Sequence, residues 1–360
     1  MKAAVLNQVG DDRLELRTDV ATVPPGPQEV RVAVRASGIC HSDLHAMDGT
    51  LPALAPGVLG HEGAGEVVEI GSAVTDLAVG DHVLITFVPA CLRCKNCLRG
   101  QPHLCAVYAI ESFTHPRFTS RDQPLFGFAG CGTFAEELVV PAPAAIKVPE
   151  DVPFEIAALI GCGVLTGAGA ALNTARVEPG STVAVIGCGG VGVSTLQGAR
   201  IAGASTIIAV DPVRDKHEAA LKFGATHTGT PEELPGLLGE LTGGEGVDYA
   251  FEVVGLPATI RSAWDSARRG GTVVVVGAGR ADAQVSFSAQ ELFLHEKRLL
   301  GSFYGSADVR RDSAKMIDFW RAGLLDLDGM ISRRLPLDDI NDGLSTLPGG
   351  TVIRQIVTFD

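Results

Sequence analysis

Apolar residues recur every second position in the N-terminal part of the chain. Val30, Val32 and Val34 alternate with Arg31, Ala33 and Arg35, which predicts a strand with one face buried. Residues 63–71 and 80–85 read as further short strands bounded by glycines, and proline clusters at 24–27, 52–56 and 141–143 mark loops. From residue 181 the rhythm changes. Residues 182–186, 206–210, 247–254 and 272–276 are short apolar strands, with a helical stretch after a glycine loop through residue 202 and others at 214–223 and 258–268 between them. Strands apolar on both faces and alternating with helices predict a parallel sheet covered on two sides. The last 55 or so residues return to mixed polar patterning and close on a strand at 352–359. Two stretches, 156–175 and 179–199, carry little or no charge but are interrupted by glycines such as Gly161, Gly163, Gly190 and Gly192. They read as buried segments of a soluble protein rather than membrane spans, which are more continuously apolar.

A length of 360 residues suits two domains better than one core. With 46% hydrophobic and 20% charged residues, disorder is excluded as the main state. Lys plus Arg is 29 and Asp plus Glu is 42, so the net charge is −13. That balance disfavours nucleic acid and an anionic membrane as partners, since both reward clustered positive charge. The N-terminus has no signal-peptide core before Asp11, so a cytoplasmic location is expected. Eight cysteines in such a chain point to thiolate chemistry or metal, not to a disulfide scaffold.

Gly187, Cys188, Gly189, Gly190, Val191 and Gly192 fit the G-x-G-x-x-G pattern between a strand and a helix. Asp211 follows Gly189 by 22 residues, at the end of the next strand. In that setting the glycines allow a tight turn and a close approach of backbone N–H groups to a pyrophosphate. Asp211 would accept hydrogen bonds from the adenosine ribose and repel a 2′-phosphate, so NAD is expected over NADP. The same loop could instead be a structural turn of another doubly wound protein, and Asp211 a strand-end turn residue.

Cys91, Cys94, Cys97 and Cys105 read C-x2-C-x2-C-x7-C. Four thiolates around one small volume predict a closed structural zinc site, with an iron–sulfur cluster or free thiols as the other readings. Cys40, His61 and Cys162 would supply two sulfurs and an imidazole, the pattern of an open catalytic zinc site. Spacing alone does not join them, and by residue type Cys162 is a buried small hydrophobe and His61 a turn histidine.

The Cys40 segment, Gly60-His-Glu, Gly80-Asp-His-Val, the four-cysteine lobe, Gly161-Cys-Gly, the glycine loop, Asp211 and the terminal Ile353–Phe359 together resemble the zinc-containing medium-chain alcohol dehydrogenases. The resemblance implies an α/β protein: a GroES-like β-rich catalytic domain at 1–163, completed by 304–360, and a doubly wound Rossmann domain at 164–303. It implies two zinc ions per chain, NAD as cofactor, an alcohol or aldehyde substrate and a homodimer. Cys40, His61 and Cys162 become ligands of catalytic zinc, with Glu62 as an alternate fourth ligand and Asp43 orienting the histidine. Ser42 would hydrogen-bond the substrate oxygen, and His45 would end a proton relay. Thr166 falls beside the nicotinamide, Lys216 near the adenosine ribose, and His41 and Arg354 near the pyrophosphate. Leu51 and Phe87 fall in the substrate pocket.

His41 departs from relatives with arginine there. A mostly neutral imidazole holds phosphate less firmly than a guanidinium. His41→Arg is therefore expected to lower the NADH dissociation constant, and an unchanged constant removes the idea. The expected reaction is oxidation of a medium-sized apolar or aromatic primary alcohol, and its reverse. Thiol-dependent formaldehyde oxidation and secondary-alcohol or polyol oxidation are alternatives on the same scaffold. A zinc-free quinone reductase should lack both cysteine groups. A catalytically idle NAD-sensing zinc protein is the non-enzymatic alternative.

Overall fold

The computed structural model describes residues 1–350 and 352–359. The chain divides into two compact units: Met1–Cys162 with Asp308–Ala322 and Leu327–Asp360, and Gly163–Ala307 with Gly323–Asp326.

The first unit is built on two sheets. A six-stranded sheet runs in the order 15–17, 3–6, 57–58, 123–127, 118–120 and 20–22. The second contains 145–147, 82–85, 62–70, 29–39, 354–358 and 331–336 in that order, with Glu137–Pro141 also pairing on Glu29–Ile39. Strand Glu29–Ile39 alternates between buried and half-buried positions as far as Ala36, then is buried on both faces to Ile39. At Ala36–Ile39 the strand is flanked by Glu62–Ile70 on one side and by the closing strand Arg354–Thr358 on the other. The C-terminus thus completes the sheet that carries Cys40 at its strand end.

The second unit holds a six-stranded sheet, every pair parallel, in the order 227–229, 206–210, 182–186, 247–252, 267–275 and 298–301. Strand Thr182–Ile186 sends Val183 and Val185 into one core and Ala184 and Ile186 into the other, as a doubly covered sheet requires. The strand order reverses beside Thr182–Ile186, and the glycine loop leaves from the carboxyl end of that strand, where open α/β sheets place their ligands.

Several elements differ from the sequence pattern. The strand at 82–85 starts two residues late, because Gly80 turns the chain at φ 93°. The helix expected at 258–268 ends at Ser266, and Ala267 already pairs with Val247. Helix Val309–Arg321 lies in the tail that patterning left as mixed. The apolar stretch Phe154–Ala175 is a helix of 22 residues, long and apolar enough to cross a membrane, but 83% of its most apolar window is buried inside the protein.

Candidate metal centre

Cys40 ends strand Glu29–Ile39 and stands just before helix His41–Asp48. Its backbone N–H donates to Asp43 Oδ2 at 3.0 Å, and Gly60 N–H donates to Asp43 Oδ1 at 3.1 Å. Asp43 Oδ1 also lies 3.1 Å from His61 Nδ1. An ionised carboxylate only accepts, so Nδ1 is the donor, and the lone pair of the neutral ring is on Nε2. Gly60 makes this turn possible. Its φ is 86°, and a Cβ would meet Thr133 Oγ1 at 2.6 Å and Phe134 at 2.7 Å. Cys162 arrives on the helical segment Ile160–Val164, where a Cβ on Gly161 would meet the Ile85 carbonyl at 2.8 Å.

These elements bring Cys40, His61, Glu62 and Cys162 together. One ligand atom from each lies within 4.8 Å of all the others, and all four residues are buried. Two buried polar atoms of this group, His61 Nε2 and Glu62 Oε1, have no hydrogen-bond partner. Buried polar atoms are rarely left so; a cation held by His61 Nε2 accounts for the first and lies within reach of the second. Burial opposes charge on His61, but Asp43 and Cys40 outweigh it and lift the imidazole to about 10, so an ion binds at Nε2 in exchange for that proton. The hydrogen bond with Cys162 draws the Cys40 thiol well below its usual range; burial opposes this, and His61 reinforces it. A set of two sulfurs and one imidazole is suited to zinc and leaves a fourth position.

Ser42 Oγ is 3.7 Å from Cys40 Sγ. His45 is half-buried one helical turn on, with Nδ1 buried and without a partner. Phe87 and Phe128 both stand edge-on to His61, each with ring centroids 5.4 Å away. Phe128 carried no signal in the sequence: it sits in a turn, beside Ala129 at φ 52°. Leu51 is half-buried, its N–H on the His45 carbonyl. His41 is exposed. Arg354 is buried, with its guanidinium on Glu62 Oε2, so a phosphate contact would require it to leave that carboxylate.

The second cysteine group is equally compact, with one sulfur from each of Cys91, Cys94, Cys97 and Cys105 within 4.8 Å of the rest. The Cys94–Cys97 and Cys91–Cys97 sulfurs are 3.5 and 4.0 Å apart, and none of the cysteines is in a disulfide. Tetrahedral zinc, with Zn–S near 2.3 Å, needs sulfurs about 3.8 Å apart. An iron–sulfur cluster would hold each cysteine on a different iron and spread them further. N–H groups of Cys91 and Cys94 point at Cys105 and Cys91 sulfurs, each at 3.3 Å. The N–H groups of Cys97 and then Ala106 draw the Cys94 thiol down to about 6. Cys131 and Cys188 lie outside both groups, and burial pushes each up to about 12.

In the second unit, Gly192 packs on the Gly187 carbonyl, while a Cβ on Gly189 would meet nothing within 4 Å. The first contact closes the turn; the second leaves an open cradle at the start of helix Gly190–Ile201. Gly190 and Val191 begin that helix, and Gly167, next to Thr166, abuts the Val191 carbonyl. Asp211 is buried and accepts from the N–H groups of Cys188 and Val213, both at 2.9 Å, and from Lys216 Nζ at 3.1 Å.

A family described as alcohol dehydrogenase GroES-like domain matches residues 26–150, and one described as zinc-binding dehydrogenase matches 190–321. The chain is 39% identical to alcohol dehydrogenase B of Mycobacterium tuberculosis, covering 93% of this chain and 92% of that one. It is 38% identical to the S-(hydroxymethyl)glutathione dehydrogenase of Paracoccus denitrificans, covering 93% and 94%. Among solved structures, the benzyl alcohol dehydrogenase of Acinetobacter calcoaceticus superposes with a TM-score of 0.92 at 32% identity, covering 100% and 99%.

Proposed function

The chain belongs to the zinc-containing medium-chain alcohol dehydrogenase family, and from that premise we propose that it oxidises a primary alcohol, medium-chain or aromatic, to the aldehyde with NAD. It runs the reverse reduction on the same site. The observation that carries the reading is the convergence of Cys40, His61 and Cys162 around two unsatisfied buried atoms.

Zinc bound there supplies a Lewis acid that acidifies an alcohol hydroxyl, and NAD supplies the hydride acceptor. Cys40, His61 and Cys162 hold the metal. Asp43 fixes the His61 ring by accepting from Nδ1, which keeps Nε2 free for the ion. Ser42 Oγ would take up the alcohol proton as it releases its own, and His45, whose buried Nδ1 lacks a partner, would accept the released proton at the outer end of the relay. Phe87 and Phe128 keep water from the His61 ring and favour an apolar or aromatic substituent, with Leu51 extending the apolar lining. Gly187, Gly189, Gly190, Val191 and Gly192 present backbone N–H groups to the pyrophosphate, with Thr166 toward the nicotinamide. Asp211 and Lys216 take the adenosine ribose. Asp211 is already surrounded by donors, so it accepts from ribose hydroxyls and repels a 2′-phosphate.

A second reading, oxidation of a hydroxymethyl-thiol adduct, draws on the Paracoccus relative. Against it, residues 48–56 contain no cation, and their one acid, Asp48, is engaged by the Thr50 N–H at 2.8 Å. Steady-state assays with ethanol, hexanol, benzyl alcohol and S-(hydroxymethyl)glutathione, on protein of measured metal content, decide between them. Two zinc ions per chain with benzyl alcohol or hexanol preferred is the expected result; preference for the thiol adduct overturns it.

The proposed assembly is a homodimer. Among the described residues strand Arg298–Gly301 is an edge, paired on one side only, and it is flanked by Phe293, 78% exposed, and Phe303, 53% exposed. An exposed apolar sheet edge is a ready template for a second copy. Light scattering is expected to give a dimer, and Phe293→Glu with Leu299→Glu a monomer. A wild-type monomer at all concentrations removes the proposal.

A further inference from the structure

Glu62 has two cations competing for it. Its side chain is fully buried; Oε2 pairs with Arg354, while Oε1 has no partner. The same carboxylate offers an oxygen within 4.8 Å of the Cys40, His61 and Cys162 ligand atoms. Arg354 comes from the closing strand and is itself buried. Glu62 and Arg354 meet across strand Glu29–Ile39 only because Gly38 lies between them. A Cβ there would run into the Glu62 carboxylate and stand 2.9 Å from the Arg354 guanidinium.

We propose that Arg354 is a positioning residue that holds Glu62 off the metal and so keeps the fourth position open to substrate. This rests on the catalytic-metal reading above. The argument is one of charge. A dication with two thiolates is neutral, and so is Glu62 with Arg354. A fully buried carboxylate needs a cation. If the guanidinium is removed, the metal is the cation left for it. Glu62 then swings onto it as a fourth protein ligand and closes the site.

The test uses the full-length protein with cobalt(II) in place of zinc, and imidazole as the probe for the open position. Imidazole is titrated while the visible cobalt bands are recorded. Arg354→Gln is expected to shift those bands before any imidazole is added and to weaken imidazole binding at least tenfold. Arg354→Lys, which keeps the charge, should weaken it less than threefold. Glu62→Gln in the Arg354→Gln background should restore wild-type binding. If Arg354→Gln does not fold, Gly38→Ala keeps both charges but drives them apart, and the same weakening and the same rescue by Glu62→Gln are expected. Wild-type imidazole binding in Arg354→Gln or Gly38→Ala, or failure of Glu62→Gln to rescue, overturns the proposal. A wild-type protein that takes up only one metal ion per chain, and loses it in Cys97→Ser, would instead sink the metal-centre reading on which it rests.

Discussion

Replacing Cys40 with alanine is expected to cut turnover of the preferred alcohol by about 10³-fold or more while NADH binding stays within about twofold. A Lewis acid at the reacting oxygen is worth several kcal/mol of transition-state stabilisation, and about 1.4 kcal/mol is a factor of ten. Cys40 contributes one of two sulfurs in a buried group of four ligand residues, so its loss leaves His61, Glu62 and Cys162 to hold the ion. The Asp43 network should survive, because it engages the backbone N–H of Cys40 rather than its sulfur. The glycine loop and Asp211 lie in the other compact unit, where Asp211 bonds Cys188, Val213 and Lys216. Protein fluorescence quenching by NADH and metal analysis on the same preparation separate the two effects. Near-normal turnover in a variant that has lost one zinc would refute the assignment of Cys40.

Cys97→Ser acts on stability instead. The lobe it belongs to has almost no core: helices Lys95–Leu98 and Ala106–Glu111 contain no buried residue. Beside the four sulfurs, its main visible tether is the buried guanidinium of Arg117, which bonds Glu29 and, at 3.2 Å, Glu111. A segment that buries so little apolar surface cannot offset its ordering entropy, so the metal must supply the difference. A serine hydroxyl is a poor zinc ligand. The variant should therefore bind one zinc per chain instead of two, melt lower by about 10 °C, and be cleaved by protease within residues 91–113. Two retained zinc ions and an unchanged melting temperature would show that the lobe is held by something else.

The second unit could be read from the chain almost directly. Strands Thr182–Ile186 and Thr206–Val210 lie where the apolar runs place them, since a strand buried on both faces announces itself by local composition. The four-cysteine lobe was equally legible, because its ligands are all within 15 residues and a short loop can bring them together without help from the fold. By contrast, helix Val309–Arg321 was missed because its buried face mixes Asp312 and Ser313 with Val309, Met316 and Ile317, which blurs the apolar stripe.

The sequence by itself determined which chemical groups are available: two thiolates, one imidazole, carboxylates beside them, and a glycine loop with an acid at the next strand end. Only the tertiary structure decided which of them meet. Cys40, His61 and Cys162 are separated by 20 and 100 residues, and their convergence depends on strand order and on the turn at Gly60. Phe128 against His61, and Arg354 against Glu62 across Gly38, depend on it too. The reason is physical: local periodicity is set by neighbours a few residues away, whereas a buried polar site is assembled by sheet register between segments hundreds of residues apart, and no local pattern encodes that register.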